Sequence, residues 1–388
     1  MRVGVLGTGK THHKIQHDKG LRELIVEAGQ KAMDDAGVAP DDVQALYLGN
    51  AGSAGFNFEN SIGLMGAHHL GLVPAAAVRV EAACGTGAWA LHLGCAAILS
   101  GLYDTVMVMG AEKMNDLATV EGTSIIAQAA DAKEEYFSGL TFPSGVALSM
   151  RKYMENFGLT EEDLAHTSVK NHHYGARNPY AHLRFECDVE GVLNSPTVAD
   201  PLKLYEVCPM TDAASAIILT REELLRDTDR PQVFVTATQM ATGTWYAVTD
   251  TMQDAYDLLH KPAMRAYEQA GLTPDDMDVA EIYNSFAIQE SFGNESLGFA
   301  EIGEGWKGAK DGSTWKDGKV AVNMSGGLLC KGHPLGATGC TQAVDIIEQL
   351  SGTAPEGIQR ENAMNGISAC RGGPGAVGAL HIYQRIED

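Results

Sequence analysis

The sequence is short of basic side chains. Lysine and arginine together number 28 against 50 aspartates and glutamates, which gives a formal net charge of −22 over 388 residues. Charged residues make up 20% of the chain, below the ~25% of ordinary globular proteins, so the imbalance reflects scarce lysine and arginine rather than an acidic tail. A general nucleic-acid-binding protein needs a basic face, and this composition argues against that class.

Several other features are missing. The seven cysteines form no C-x-x-C pair and are odd in number, so neither a disulfide framework nor a zinc ribbon is predicted. No run approaches the ~18 uninterrupted apolar residues of a membrane helix, and residues 1–9 are too quickly polar for a signal peptide. We therefore expect a reduced cytoplasmic protein with no bound metal and no membrane contact.

What the sequence does contain is an alternation of short apolar runs and alanine-rich stretches. At roughly 150 residues per domain, its length allows two or three domain-sized units. This alternation predicts a layered α/β fold. The predicted strands are 3–6, 45–48, 105–109, 214–219, 233–237, 279–282 and 376–383, and the predicted helices are 21–36, 87–99, 261–270 and 337–350.

An internal repeat divides the chain. Residues 32–43 and 266–277 share six identities at an offset of 234 positions (270 − 36 = 234). Each copy runs from the end of a helix through a Pro-Asp-Asp turn toward a strand. A common connector can arise twice, but six identities at fixed spacing favour a duplication. We therefore expect two α/β halves packed against each other.

The segment 115–206 differs from its surroundings. It has irregular periodicity and clusters of aromatic and histidine side chains, as in 171–180, which is typical of a long excursion that covers a binding site. We expect an N-terminal half at 1–114 that is completed by 207–246, this covering segment, and a C-terminal half at 247–388.

One motif is misleading. Residues 4–11 match the phosphate-binding pattern G-x-x-x-x-G-K-[ST]. Such a loop must connect a full strand to a helix whose N-terminal amides face the phosphate. Here only three residues precede Gly4, and the polar stretch 12–20 offers no apolar helical face. We expect a strand followed by a glycine-rich surface turn, without an ATP or GTP site.

Three segments of small residues carry candidate chemistry. Cys84 stands between a β-type run and an alanine-rich helix, where a helix N-terminus would favour the thiolate; a buried structural cysteine is the equal alternative from this segment alone. His333 lies between glycines and a proline, a rigid frame for a base or an oxyanion donor. Cys370 stands in a glycine-rich turn before the last apolar strand, where a thiol could transfer a proton.

Together these segments resemble the thiolase superfamily over most of the chain. The resemblance rests on the Cys-Gly-Thr-Gly turn at Cys84, the Gly-His-Pro-Leu-Gly-Ala-Thr-Gly loop at His333 and the Cys-x-Gly-Gly-x-Gly loop at Cys370, with further matches at 194–202 and 210–216. It implies the thiolase fold, with duplicated halves in a five-layer α-β-α-β-α arrangement. Within the family, the sequence is most similar to the archaeal and sterol-carrier-type branch.

The resemblance also implies a role for each residue. Cys84 would accept the acyl group, and His333 would activate it and donate to the thioester oxygen. Cys370 would exchange protons with the CoA thiol or with the departing carbanion. The backbone amides of Cys84 and Gly372 would bind the oxyanion of the tetrahedral intermediate.

One position departs from the family pattern. Thiolases usually carry Asn or His three residues before a Phe, and here Tyr283 stands three residues before Phe286. Tyr283 could donate the same hydrogen bond, Asn284 could replace it after a register slip, or Tyr283 could be a half-buried strand residue. The larger, less basic ring favours a bulky or branched substrate over acetoacetyl-CoA.

The implied activity is that of an acyltransferase that cleaves a 3-oxoacyl-CoA with CoA, or runs the reverse Claisen condensation. A bulky substrate such as benzoylsuccinyl-CoA is expected. The alternatives are acetoacetyl-CoA, another cysteine-dependent condensation, and a non-catalytic thiolase-like subunit. CoA is a substrate, and no permanently bound cofactor is expected. The cationic candidates for contacting CoA are Arg177, His173 and Lys203.

The implied assembly is a homodimer, with a small zinc-ribbon/OB-fold protein as a further partner that helps to bind acyl-CoA. CoA is strongly anionic. A chain of net charge −22 should therefore gather its few basic residues at the CoA entrance, or a partner should supply the positive surface.

Overall fold

The computed structural model describes residues 2–225, 230–245 and 252–386, with the backbone alone at 252–255. The predicted domain boundary at 246 and 247 lies outside the described residues. No helix in these ranges combines the length and the apolar character that a membrane crossing requires.

The strands are β1 Val3–Lys10, β2 Ala45–Gly49, β3 Ala76–Val80, β4 Thr105–Glu112, β5 Thr197–Ala199, β6 Leu202–Lys203, β7 Ala213–Arg221, β8 Gln232–Thr242, β9 Val279–Ile282, β10 Ala321–Val322, β11 Asn365–Gly372 and β12 Val377–Ile386. The helices are α1 Leu21–Ala36, α2 Ser53–Phe56, α3 Ile62–His69, α4 Thr86–Leu99, α5 Thr119–Ala127, α6 Phe142–Phe157, α7 Glu161–Arg177, α8 Val189–Asn194, α9 Met252–Ala270, α10 Ala287–Ser296, α11 Lys307–Asp311, α12 Gly327–Lys331 and α13 Thr338–Ser351.

Ten of these strands form one mixed sheet made of two topologically identical halves, in the order β10-β9-β11-β12-β8-β1-β7-β4-β2-β3. In the first half, β2 is parallel to β3 and β4, and β7 is antiparallel to β4 and β1. In the second half, β9 is parallel to β10 and β11, and β12 is antiparallel to β11 and β8. The halves join through two residue pairs between β1 and β8. This topology confirms the predicted duplication.

The sequence repeat has the same local structure in both halves. α1 ends at Ala36 and α9 ends at Ala270, and each is followed by a glycine in the left-handed region, with φ of 63° at Gly37 and 71° at Gly271. Glycine adopts this helix-ending conformation without the strain that a Cβ would cause. A single 3-10 turn over Pro-Asp-Asp then leads to β2 in one half and β9 in the other.

Helices and sheet halves stack in the five predicted layers. Alternate side chains of β4 face opposite layers: Val106 and Val108 pack toward the central helices α4 and α13, whereas Met107 and Met109 pack toward α1 and α3. α9 covers the outer face of the second half. Each central helix follows the edge strand of its own half, since β3 leads to α4, and β10 leads to α13 through a loop that contains α12.

The covering segment is helical where irregular periodicity suggested a long loop. It contains α5 to α8 and the small β5–β6 pair, all inserted between β4 and β7. The amphipathic pattern of α7 is hidden in the sequence because Lys170, Asn171 and His172 are all buried. Internal bonds satisfy the first two, including Lys170 to the carbonyl oxygen of Val322 at 2.9 Å. Polar residues therefore occupy positions where an apolar stripe would have marked the helix.

The prediction of a surface turn at the phosphate-loop motif is wrong, because β1 continues through Lys10. A Cβ on Gly7 would lie 2.8 Å from the carbonyl oxygen of Ala32, so the glycine allows α1 to pack closely on this strand. Lys10 is buried, with its Nζ 2.8 Å from Asp345 Oδ1 and 2.5 Å from Glu348 Oε2. These carboxylates neutralise the lysine inside the fold, which leaves the segment no role as a phosphate loop.

Candidate active site

Cys84 lies in a tight turn between β3 and α4. Ala83 has φ of 49°, which is strained for a residue with a Cβ. Thr86 closes the turn, since its Oγ1 accepts from the amide of Ala82 at 2.7 Å and donates to the carbonyl oxygen of Ala83 at 2.5 Å. Cys84 lies one residue before Gly85, the N-cap of α4, and burial raises the pKa of Cys84 to about 11. The desolvation of the thiolate outweighs the hydrogen bonds that lower this pKa, so the resting side chain is a thiol.

His333 reaches the same place from the loop before α13. Its Nδ1 lies 2.7 Å from Thr338 Oγ1, and that hydroxyl donates to the carbonyl oxygen of Pro334 at 3.0 Å. Because the hydroxyl proton of Thr338 is already used, Nδ1 carries the ring proton and Nε2 is left as an acceptor. Burial lowers the pKa of His333 to about 3, so the ring is neutral near pH 7 and can take a proton.

Tyr283 touches both residues. It directly follows β9, and its ring meets that of His333 edge-on with centroids 5.3 Å apart. Its hydroxyl lies 3.1 Å from His333 Nε2. Burial is the larger influence on the pKa of Cys84 and raises it, while a hydrogen bond with the Tyr283 side chain acts in the opposite direction. The tyrosine therefore lies at the centre of the site.

Asn284, the alternative to Tyr283, is directed elsewhere. Its side-chain nitrogen donates to Asn171 Oδ1 and to Glu290 Oε2, both at 3.0 Å. Its side-chain oxygen accepts from the amide of Leu328 at 2.8 Å. These contacts place Asn284 in a buried polar cluster that joins α7, α10 and α12, away from the walls of the cavity described below.

Cys370 approaches from the second half. It lies within β11, two residues before the strand ends, and not in the turn that the sequence suggested. Its Sγ is 3.5 Å from the carbonyl oxygen of Cys84, and burial raises its pKa. Gly372 packs on the turn, because a Cβ there would lie 2.6 Å from the amide nitrogen of Gly85. A backbone hydrogen bond from Gly373 lowers the pKa of Cys84, against the larger effect of burial.

Glu112, which the sequence analysis missed, anchors the loop before α13. Its carboxylate accepts from Asn50 Nδ2 at 2.8 Å and from the amides of Ala51, Gly52 and Gly336 at 2.9, 3.1 and 2.9 Å. Burial raises its pKa to about 6. The available signal was a glutamate at the end of an otherwise apolar strand. Thr338 gave no comparable signal, since its role depends on the loop geometry.

A cavity of about 170 Å³ brings Cys84, Tyr283 and His333 together. It adjoins a second cavity of about 100 Å³ that runs along the covering segment and the turn after β11. Cys208, which the sequence analysis did not single out, also lines the first cavity. The remaining walls of the first cavity are mainly apolar and are formed by Met114, Thr123, Ile126, Phe142, Pro143, Val207, Met210, Ser285, Phe286 and Leu335.

The three cationic candidates lie elsewhere. Arg177 pairs with Glu186 at 2.5 Å, and His173 is 3.7 Å from the same carboxylate. Lys203 is 3.5 Å from Glu161. Within the described chain none of the three lines either cavity; the cation found there is Arg371, in the second cavity. The described residues also include no cluster of three or more side chains that could hold a metal ion.

Comparisons with known proteins cover almost the whole chain. A model of the thiolase N-terminal domain matches residues 5–223, and a thiolase C-terminal domain-like model matches residues 241–385. The chain is 41% identical over 385 residues to an acetyl-CoA acetyltransferase of Methanothermobacter thermautotrophicus, covering 99% of both. It is 31% identical over 362 residues to the benzoylsuccinyl-CoA thiolase subunit BbsB of Thauera aromatica, covering 91% of this chain and 90% of BbsB. The solved Ltp2-ChsH2(DUF35) aldolase shares the fold, with a TM-score of 0.84 at 23% identity over 100% of this chain and 98% of that one.

Proposed function

The chain belongs to the thiolase family of acyltransferases, and from that premise we propose that it is an acetyl-CoA acetyltransferase. It would cleave acetoacetyl-CoA with CoA into two molecules of acetyl-CoA, or run the reverse condensation. The observation that carries this proposal is the convergence of Cys84, His333 and Cys370 from distant segments around one turn. The 41% identity to an acetyl-CoA acetyltransferase favours acetoacetyl-CoA over the benzoylsuccinyl-CoA first expected.

The proposed cleavage has two half-reactions. The Cys84 sulfur attacks the 3-oxo carbon while its proton passes toward His333; the bond between C2 and C3 then breaks, and C2 takes a proton from Cys370 to release acetyl-CoA. In the second half-reaction, the CoA thiol gives its proton to the Cys370 thiolate and attacks acetyl-Cys84. The Cys84 sulfur leaves and recovers its proton from His333, which restores the resting enzyme.

Burial sets the resting protonation states from which these steps start. The thiol of Cys84 and the ring of His333 are both neutral at rest, because burial raises the pKa of the first and lowers the pKa of the second. Charge then appears only as the sulfur attacks and the carbonyl oxygen becomes negative. Backbone amides of the Cys84 turn and of the Gly372–Gly373 segment are the proposed donors to that oxygen, and such fixed donors are most effective where water is excluded.

The size of the cavity bears on the substrate. A dry cavity of about 150 Å³ in another protein holds one benzene molecule, so the 170 Å³ beside Cys84 accommodates an acetyl or acetoacetyl group with space to spare. The same space, walled by Met114 and Phe142, is the observation that keeps a moderately bulky 3-oxoacyl-CoA as a second candidate.

CoA is a substrate in this proposal, and no resident cofactor is part of it. The homodimer and the zinc-ribbon/OB-fold partner stay predictions. In support of the partner, Arg177, His173 and Lys203 lie outside both cavities, which leaves Arg371 as the described cation in their walls. A partner would add positive surface for CoA.

The test is mass spectrometry of the protein after brief mixing with acetoacetyl-CoA. We expect one added acetyl group on a peptide that contains Cys84, lost in a Cys84→Ala variant and retained in a Cys187→Ala control, since Cys187 lies outside both cavities. A parallel measurement of kcat/KM with benzoylsuccinyl-CoA separates the two substrates. Acetylation of another residue, or none, would overturn the assignment of Cys84.

A further inference from the structure

We propose that Glu290 is a positioning residue for the proposed reaction and that it acts through Tyr283. The inference rests on the proposed function, in which the ring of His333 takes up the proton of Cys84. His333 Nε2 lies 3.1 Å from the Tyr283 hydroxyl, and the two rings meet edge-on. The place of Tyr283 therefore helps to fix the imidazole beside the nucleophile.

Glu290 joins α10 to three other buried segments through one carboxylate. Its Oε2 accepts from three side-chain nitrogens, those of Asn171 at 2.8 Å, Asn284 at 3.0 Å and Asn323 at 2.7 Å. Its Oε1 lies 2.6 Å from Lys170 Nζ in an ion pair that is closed to solvent. Lys170 and Asn171 belong to α7 of the covering segment. Asn284 lies in the turn after β9, and Asn323 directly follows β10.

The carboxylate also determines which way these amide side chains point. A carboxylate oxygen can only accept, so the atom of each asparagine that faces Glu290 is the nitrogen. The side-chain oxygens of Asn284 and Asn323 are consequently turned toward backbone amides. Asn284 accepts from the amide of Leu328 at 2.8 Å, and Asn323 accepts from the amide of Ile282 at 2.7 Å.

These two backbone bonds hold the chain around the active site. Ile282 directly precedes Tyr283 and Asn284 directly follows it, so the cluster fixes both neighbours of the tyrosine. The other bonded amide belongs to α12, which leads into the loop of His333. A Cβ on Gly327 would lie 2.5 Å from Asn284 Nδ2, so α12 packs directly on the cluster. The cluster therefore contacts both segments that meet at the hydrogen bond between Tyr283 and His333.

Glu290 itself does not reach the substrate. It is 1% exposed and lies outside the walls of both cavities. Its effect on the reaction must therefore pass through the asparagines. A satisfied buried cluster stabilises the fold in any case, because unpaired buried polar groups are costly. The positioning role makes the further claim that the ring of His333 responds when Glu290 is changed.

The first experiment compares wild type with Glu290→Gln. The change keeps the size of the side chain and replaces one accepting oxygen with an NH₂ group, which then faces either Lys170 or the three asparagine nitrogens. We expect kcat for acetoacetyl-CoA to fall about 10- to 100-fold, as for the loss of an outer partner of a functional histidine, with KM almost unchanged. In ¹⁵N NMR without substrate, the Nε2 resonance of His333 should shift toward its position in Tyr283→Phe, which lacks the hydroxyl.

The matched control is Glu295→Gln, on the same helix. Glu295 is also buried, but its carboxylate holds another part of the structure, where it accepts from the amides of Gly303 and Gly305 at 3.0 and 3.1 Å. We expect this variant to unfold at a lower denaturant concentration than wild type. Its kcat and the Nε2 resonance of His333 should stay at their wild-type values.

A second variant, Asn171→Ala, keeps the ion pair between Glu290 and Lys170 and tests the proposal in the event that Glu290→Gln does not fold. Asn171 Oδ1 accepts from Asn284 Nδ2 at 3.0 Å, so its removal releases Asn284 on the side of the covering segment. We expect the Nε2 resonance of His333 to shift in the same direction as in Glu290→Gln and kcat to fall several-fold.

The outcomes separate the two proposals. If wild type does not process acetoacetyl-CoA, the proposed function is overturned, while the NMR still tests whether Glu290 sets the contact between Tyr283 and His333. A folded Glu290→Gln or Asn171→Ala protein with the wild-type Nε2 resonance would overturn the positioning role. So would Glu295→Gln if it changed kcat and the resonance to the same extent, since the effect would then follow from stability alone.

Discussion

The residues of the site share one environment and respond to it in opposite ways. Burial raises the pKa of Cys84 to about 11 and lowers the pKa of His333 to about 3, so an acid and a base both rest in their uncharged forms. Exposed residues of the same types would carry partial charge near pH 7. Cys84 and His333 therefore form no ion pair at rest, and they become charged only when a thioester binds and reacts.

This environment predicts an unusual pH dependence. A histidine with its ordinary pKa would gain a proton as the pH falls through about 6.5 and lose its ability to act as a base. Since the pKa of His333 is lowered to about 3, its ring stays neutral down to that range. We expect kcat/KM, measured from pH 8 to pH 5.5, to show no decline from this residue. An acidic limb near pH 6.5 would contradict the assignment.

Thr338 provides a test of how the imidazole is oriented. Thr338→Val keeps the shape of the side chain and removes the acceptor for Nδ1 and the bond to Pro334. We expect kcat to fall about 10- to 100-fold, the usual effect of losing an outer partner of a functional histidine, with KM almost unchanged. Thr338→Ser should retain most activity. NMR of the ring nitrogens should show loss of the Nδ1–H form in the valine variant, and an unchanged spectrum would refute this role.

At the scale of elements, the site depends on how closely α4 and α13 approach. The second residue of each helix is a glycine. A Cβ on Gly87 would lie 2.7 Å from the carbonyl oxygen of Gly336, and a Cβ on Gly339 would lie 2.7 Å from the Cβ of Ala88. The helix that follows Cys84 and the helix that follows His333 are therefore in backbone contact at their first turns, and this contact sets the separation of these two side chains.

Gly339→Ala should disturb both stability and catalysis. The added methyl group has no space, and overpacking of this kind lowers the free energy of unfolding by about 1–3 kcal/mol. Separation of the helices should also lower kcat. The matched control is Gly122→Ala in α5, where a Cβ would meet its nearest atoms, those of Met210, at 3.6 Å. Denaturant unfolding and kcat are measured for both; equal behaviour of the two variants would show that the helix contact is not limiting.

At the scale of the whole molecule, the few basic residues are spread over the protein. The described lysines and arginines do not gather at the cavities, and most of them pair with carboxylates across the protein. Of the two expectations drawn from the net charge, a basic CoA entrance is not seen in these residues. In the walls of the two cavities beside Cys84, the described cation is Arg371.

The net charge of −22 therefore predicts a salt effect. An anionic substrate is repelled by the field of the isolated chain, and raising the ionic strength from 0.01 M to 0.15 M shortens the screening length from about 30 Å to about 8 Å. We expect kcat/KM for acetoacetyl-CoA to rise several-fold over this range. A short thioester without the nucleotide phosphates should respond little. A fall with salt would instead reveal an attractive basic track that the cavities do not show.

Much of this structure was readable in the sequence, and the remainder depends on partners that one segment cannot reveal. The predictions 21–36 and 279–282 coincide with α1 and β9, because their apolar patterns have clear ends. The strand 3–6 extends to Lys10 since its glycines pack against α1. Cys370 lies in β11, whose small residues form no apolar run; pairing with β9 and β12 on either side makes this segment a strand.

In the candidate site too, sequence motifs point to some residues, whereas the roles of others depend on the folded geometry. The motifs singled out Cys84, His333 and Cys370, since glycines follow or flank each of them and a proline lies near the last two. They could not identify Gly373 or Thr338, whose contributions are a backbone amide and a hydrogen bond made only in the folded loops. Arg177, His173 and Lys203 were chosen for charge alone, and charge does not determine where a side chain lies.

The equivalence of the two halves has one further consequence. Cys84 and His333 occupy matching connections, each between an edge strand and a central helix of its own half. Equivalent positions of the two copies thus hold the proposed nucleophile in one half and the proposed base in the other. A protein of two identical copies would set thiol against thiol or imidazole against imidazole, and neither pair could activate a nucleophile. The proposed mechanism therefore requires that the two copies differ at this position, which a duplication followed by divergence allows.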